Sequence, residues 1–296
     1  FAIRFHAKLR ILMKRHFISA LCAVLLISSS LISCTSSGGR NGGPAPTPAI
    51  TKGKIQLSPA ESTAIGRKIW QNECSGTIEG LTSWNKGEDF PSLGIGHFIW
   101  YVKGRPAPFD ESFPKLIAFM KTRRVPMPGW LLNANGSPWT SRNQFLAAQN
   151  SPQMKELRNF LANTVQHQTD FIVFRLENAM SKMLAQTSGA KDKARLQANF
   201  YKVAESGTGV YALIDYVNFK GEGTKKVERY KGVGWGMRDL LLEMRDTAGG
   251  RAAANEYSEA AKRVLQRRIK NSPPERGESR WLSGWMNRCE TYKKGI

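Results

Sequence analysis

The feature that most restricts what this chain can fold into is a change of period at residue 73. Upstream, Ser58, Pro59 and Glu61 read as a helix start, with Ser as the cap, Pro at the first helical position and Glu closing a capping box. Ile65 and Ile69 follow at four-residue spacing and share one face, and Glu73 is the next member of that series. Gly76 then supplies a stop. Beyond it come three β-prone pieces at 81–84, 90–95 and 98–101, the first two separated by the turn-forming Asn-Lys-Gly-Glu-Asp at 85–89. Gly94 and Gly96 flank Ile95 and permit close approach of backbone or ligand. The chain then returns to three-and-four spacing at 111–123, 151–163, 171–186, 191–204, 237–246 and 252–270. Leu176, Ala179, Met180, Met183 and Leu184 form one such stripe and read as core. A single hairpin region set among helices predicts an α+β fold, predominantly helical, with a small antiparallel β-hairpin sheet lining a cleft whose other wall is a helical lobe.

The N-terminal residues follow different rules. From Met13, the true start on this reading, Met-Lys-Arg-His leads into 17–32, an apolar, Ser-punctuated run with no acidic residue. That is the pattern of a secretory signal. About 16 apolar-leaning residues fall short of the roughly 20 that a membrane span needs. The run ends Leu31-Ile32-Ser33-Cys34, which resembles the bacterial lipobox, so Cys34 is the expected lipidation site. Residues 1–33 are therefore assigned to the signal region. The Ser-, Gly- and Pro-rich 34–54 form a lipid-anchored flexible linker. The remaining 55–296, about 240 residues, suffice for one sizeable domain or two small ones, and are taken as one. The expected location is the periplasm, with a lipid anchor in the outer membrane.

Charge and cysteine usage narrow the chemistry. The full chain carries a net charge of +21, and removing 1–33 takes away five basic residues and no acids, leaving 39 basic against 23 acidic. Such a balance favours anionic partners. The basic residues are spread along the chain without zinc-finger or RNA-binding spacing, so the expected partner is the acidic cell envelope and not nucleic acid. The glycine-rich 232–236 lacks the Gly-Lys-Ser/Thr ending of a phosphate loop, which argues against a nucleotide cofactor. With Cys22 lost in the signal and Cys34 lipidated, Cys74, Cys289, His97 and His167 are too few for a zinc site built on several His or Cys ligands, so no metal and no cofactor is expected. Cys74 and Cys289 are candidates for a disulfide. Alternatively, Cys74 with His97 would serve an envelope peptidase, although no local signature supports it.

A carboxylate on the apolar stripe of a helix, in its last turn, is disfavoured as an anion by desolvation and by the negative end of the helix dipole. The pKa of Glu73 is therefore expected to rise. A carboxylic acid kept protonated near neutral pH suits proton donation to a leaving sugar oxygen. The other reading of Glu73 is a plain ion pair with an arginine.

The order of these pieces resembles the active-site region of the phage-type lysozymes and endolysins. That family has a Glu at the end of its first helix, a β-hairpin bearing an acid, and then Thr-x-Gly-x-Gly-His, matched by SLGIGH at 92–97. The resemblance implies Glu73 as catalytic acid and Ser92 in the place of the Thr, where it positions water or sugar. Six residues before Ser92, where the family carries Asp, stands Lys86, so Glu88 or Asp89 substitutes, with Glu88 the first candidate, or the second acid is absent. The loop between Glu73 and His97 is also several residues longer than usual. ALIDYVNFKGEG at 212–223 is similar to the family's later helix ending in Phe-Asn-x-Gly-x-Gly, with Asn218 at the Asn. GWMNRCETY at 284–292 is similar to the endolysin tail whose basic residue packs near the catalytic Glu, here Arg288. His97, Trp100, Asn218 and Arg288 are the expected substrate-binding residues, Trp100 by stacking on a sugar face. The implied activity is cleavage of the β-1,4 bond of peptidoglycan glycan strands, by a lysozyme or a lytic-transglycosylase route. The alternative is a non-catalytic peptidoglycan-binding lipoprotein that has kept the cleft.

Overall fold

Ser58 opens the first helix, as its spacing predicts. The computed structural model describes residues 54–105 and 109–296. The signal region, Cys34 and the linker up to residue 53 lie outside the described residues. In chain order the helices are α1 (Pro59–Cys74), α2 (Phe113–Thr122), α3 (Gly129–Leu132), α4 (Arg142–Ala147), α5 (Pro152–Asn163), α6 (Val165–Ala185), α7 (Ala190–Ala204), α8 (Gly207–Lys220), α9 (Met237–Glu243), α10 (Arg251–Asn271) and α11 (Leu282–Glu290). The strands are β1 (Thr82–Ser83), β2 (Ser92–Leu93), β3 (Phe98–Ile99), β4 (Arg229–Tyr230) and β5 (Val233–Gly234).

Both halves of the capping box are present. The Ser58 hydroxyl accepts from the Glu61 amide, and the Glu61 carboxylate accepts from the Ser58 amide. A cap of this kind contributes about 1 kcal/mol. Ile65 and Ile69 are buried on the inner face. Gly66 between them lets α1 press on α6, because a β-carbon there would lie 2.4 Å from Thr169 Oγ1. The helix reverses at Ser75, left-handed at φ 56°, one residue before the glycine expected to stop it.

The first three strands form an antiparallel sheet in the order β1-β2-β3, with Thr82 opposite Leu93 and Ser92 opposite Ile99. They are shorter than the β-prone pieces because 94–97 make a tight turn. Gly94 (φ 69°) and His97 (φ 47°) are both left-handed, and the His97 amide donates to the Gly94 carbonyl at 3.2 Å. Ile95 leaves the ladder, and its amide donates to Gln168 Oε1 at 2.9 Å. Gln168 also donates to the Leu161 carbonyl at 2.7 Å. These bonds account for the early start of α6, at Val165 and not at 171. Gln168 and Thr169, polar residues that break the apolar pattern, are fully buried as supports for the turn and for α1.

Helix α8 runs through the core, with every residue from 209 to 216 buried, against α1, α6, α7 and α10. The second hairpin, β4-β5, falls in the glycine-rich stretch to which the sequence pattern assigns no element. It carries Tyr230 beside Trp235, and both rings face Arg268 of α10. The architecture is thus α+β, mostly helical, with small antiparallel sheets. Among the described residues no helix is long and apolar enough to cross a membrane.

Candidate active site

The last turn of α1 delivers Glu73 to a corner formed by the β2–β3 turn, α8 and α11. Asn72, just before it, donates to the Tyr211 hydroxyl at 2.7 Å and so ties that turn to α8. His97 Nδ1 lies 3.8 Å from Glu73 Oε2, and Arg288 Nη2 lies 3.9 Å from Glu73 Oε1. Both separations exceed hydrogen-bonding range. Among the described residues neither Glu73 oxygen receives a hydrogen bond, and the side chain is 20% exposed. The carboxyl is neither sealed in the core nor projected into bulk solvent.

Arg288 is held from behind. Its Nε and Nη2 each donate to Asp215 at 2.7 Å, a bidentate fork, and the Tyr292 hydroxyl adds a third bond to Asp215 at 2.7 Å. Burial works against the arginine's charge, but the Coulomb attraction and hydrogen bonds of Asp215 outweigh it and raise Arg288 above the ordinary arginine value. Asp215 and Tyr292 carry no expectation from the sequence. A signal existed: Asp215 is the lone acid in the apolar helical stretch 210–219, and a buried carboxylate requires a partner.

Helices α2, α6 and α8, with the turn before β3, enclose an open groove of about 920 Å³. Its lining includes Gly96, next to His97 in the chain, and Ile214 and Asn218, on either side of Asp215 along α8. Glu73 itself is not among the lining residues. Of the residues the sequence singles out, Glu73, His97 and Arg288 come together, and Asn218 lines the groove, exposed.

Three expectations need correction. Trp100 is 2% exposed and packs in the core against Phe113 and Trp130, because both faces of β3 are covered; it cannot stack on a sugar there. Ser92 is 1% exposed in the middle strand, and its carbonyl accepts from Ser83; it does not line the groove. Glu88 accepts from Asn85 within its own loop, and neither it nor Asp89 is among the groove's lining residues.

The two cysteines are free, buried thiols and not a disulfide. Burial first, and then the charge of Glu73, pushes the Cys74 thiol up to about 12, and its sulfur contacts the Gly94 carbonyl at 3.5 Å. A thiol so placed lacks the depressed pKa that a nucleophilic cysteine needs. No family model, curated protein or solved structure matches the chain.

Proposed function

We propose that this chain has a lysozyme-like fold and cleaves the β-1,4 glycosidic bonds of peptidoglycan strands, with Glu73 as the general acid. One observation carries the reading: Glu73 is a part-exposed carboxyl free of hydrogen bonds among the described residues, flanked at 3.8 and 3.9 Å by His97 of the hairpin turn and by Arg288. Protonated, it donates to the glycosidic oxygen as the bond to the leaving sugar breaks. Arg288, already neutralised by Asp215, orients the carboxyl without capturing it. His97 Nδ1 stands on its other side at 3.8 Å.

Glu88 is held by Asn85 within its own loop, which favours a route that asks for one carboxyl. In that route the 6-hydroxyl of the cleaved sugar closes on its own C1 and returns its proton to the Glu73 carboxylate, giving the anhydro product of a lytic transglycosylase. Anchoring through lipid at Cys34 would hold the activity in the periplasm, at the outer membrane beside the wall. Mass spectrometry of digested sacculi tests the proposal. Anhydro ends support the single-acid route, reducing ends, heavier by one water, support a lysozyme, and no release of fragments defeats both. A second reading, a peptidoglycan-binding lipoprotein without turnover, is favoured by the absence of Glu73 from the groove lining. Glu73→Gln separates the two: lost digestion with retained sacculus binding supports the enzyme, and unchanged behaviour supports the binder.

A further inference from the structure

The groove carries more positive charge than its ion pairs consume. We propose that it selects anionic glycan, strands bearing free carboxylates over the same strands without them, and that Arg175 is the residue that reads the charge. This rests on the glycan-cleavage reading and names its substrate class more narrowly. One face of α6, with Phe171, Arg175, Asn178 and Lys182 at three-and-four spacing, runs along the groove opposite Lys115, Phe119 and Thr122 of α2. Five basic side chains line it against two acidic ones, Asp110 and Glu222. Both acids are already engaged, Asp110 by Lys115 and Glu222 by Lys182 at 3.3 Å.

Lys54 and Arg123, the latter 3.5 Å from the Phe119 ring centroid, are left over, and so is Arg175 on the α6 wall. It makes no hydrogen bond or ion pair among the described residues, and its guanidinium stands 6.0 Å from the Phe171 ring centroid. It is solvent-exposed on the groove wall, where partial desolvation by its neighbours lowers its pKa from the ordinary arginine value although Asp110 and Glu222 pull the other way. An arginine stays charged through such a shift. A charged fork exposed in a groove and unpaired there is a receptor for an anion, because its planar donors match a carboxylate in two parallel bonds. Beside it Phe119 packs between Phe171 and Phe174, with centroids 5.3 and 5.6 Å away, and Phe174 is 46% exposed. These flat apolar surfaces suit the C–H face of a sugar ring whatever its charge. Discrimination by charge therefore falls to the unpaired cations, of which Arg175, on the same face of α6 as Phe171, offers a two-bond fork beside the aromatic wall.

The test measures binding of the full chain carrying Glu73→Gln to two probes. One is purified peptidoglycan strands with their stem carboxylates; the other is the same strands after carbodiimide coupling to neutral amides. The expected result is a preference of about tenfold for the native strands at low salt, falling to near one when Arg175→Gln is added and partly restored by Arg175→Lys. Unchanged binding of amidated strands by the Arg175→Gln form shows that the fold is intact. Equal binding of both probes before Arg175 is altered, no binding of either, or a preference that survives Arg175→Gln each overturns the proposal. The cleavage reading fails separately: if the unsubstituted chain leaves strands uncut while the Arg175-dependent preference holds, the charge assignment stands and catalysis does not. Digestion with charge-blind binding gives the converse.

Discussion

Two arginine–carboxylate forks tie the C-terminal part of the chain to the helical core, and they differ in what they leave open. Arg268 grips Glu278 through Nε and Nη2 at 2.8 and 2.9 Å, with the side chains 6% and 0% exposed. Trp235 closes over its guanidinium at 4.0 Å, with Trp285 and Tyr230 further out. Arg288 grips Asp215 in the same two-bond manner, yet it is 21% exposed and points the same Nη2 toward Glu73. Identical bonding thus serves two ends. The closed fork has no direction left in which to act; the open one presents a neutralised cation to Glu73, the proposed acid. Lys220 is sensitive to both forks: its amine lies 3.2 Å from the Trp285 ring centroid and makes no hydrogen bond.

The sharpest way to break this contrast is Glu278→Gln. It strands Arg268 as a buried cation without this anion, and should cost about 3–5 kcal/mol. Urea unfolding measures this, while digestion per folded molecule should stay as it was; a loss under about 1 kcal/mol would mean the closed fork is not structural. Asp215→Asn should cost less stability, about 2–3 kcal/mol, because Arg288 can reach water. Glycan release should nonetheless fall by about tenfold or more, as the freed guanidinium pairs directly with Glu73. Undiminished release would remove Asp215 from the site.

Lys220→Met gives a smaller effect of opposite sign, a gain of about 1 kcal/mol at pH 7, since an unpaired buried amine is replaced by an apolar chain. Burial first, and then the charge of Arg268, holds this amine well below its ordinary value of 10.5. The unfolded chain therefore binds a proton that the folded one refuses, and the wild type loses stability as pH falls below 10.5. The gap between variant and wild type should be widest near neutrality and close above that value; a gap that ignores pH would place a charged lysine inside the fold. The smallest effect is a null one. Burial pushes both thiols up to about 12, so iodoacetamide at pH 8 should leave Cys74 and Cys289 unmodified while the denatured chain labels fully. Fast labelling of Cys289 would show that the core beside the forks opens.

What could be read in advance follows the range of the interactions. The α1 cap and the placement of Ile65, Ile69 and Glu73 in one series are local, and all are found. Arg288 reaches the Glu73 corner, as its tail motif implies. Asp215 escaped because its partner stands 73 residues away, and Gln168 escaped for the same reason toward Ile95. Ser92 and Trp100 misled because alternation names the two faces of a strand without saying that helices cover both. The groove's aromatic wall comes instead from Phe119, Phe171 and Phe174, residues on helices whose apolar spacing gives no hint of which faces a space is left between.

The single rod of α6 adds a consequence of its own. Gln168, which pins the turn carrying His97, lies seven residues from Arg175 and fourteen from Lys182 on one unbroken helix. At about 1.5 Å per residue those positions fall roughly 10 and 21 Å along its axis. On the proposed function the helix is a ruler: a strand laid in the groove meets Arg175 and Lys182 at fixed steps along one backbone, whatever the strength of any one contact.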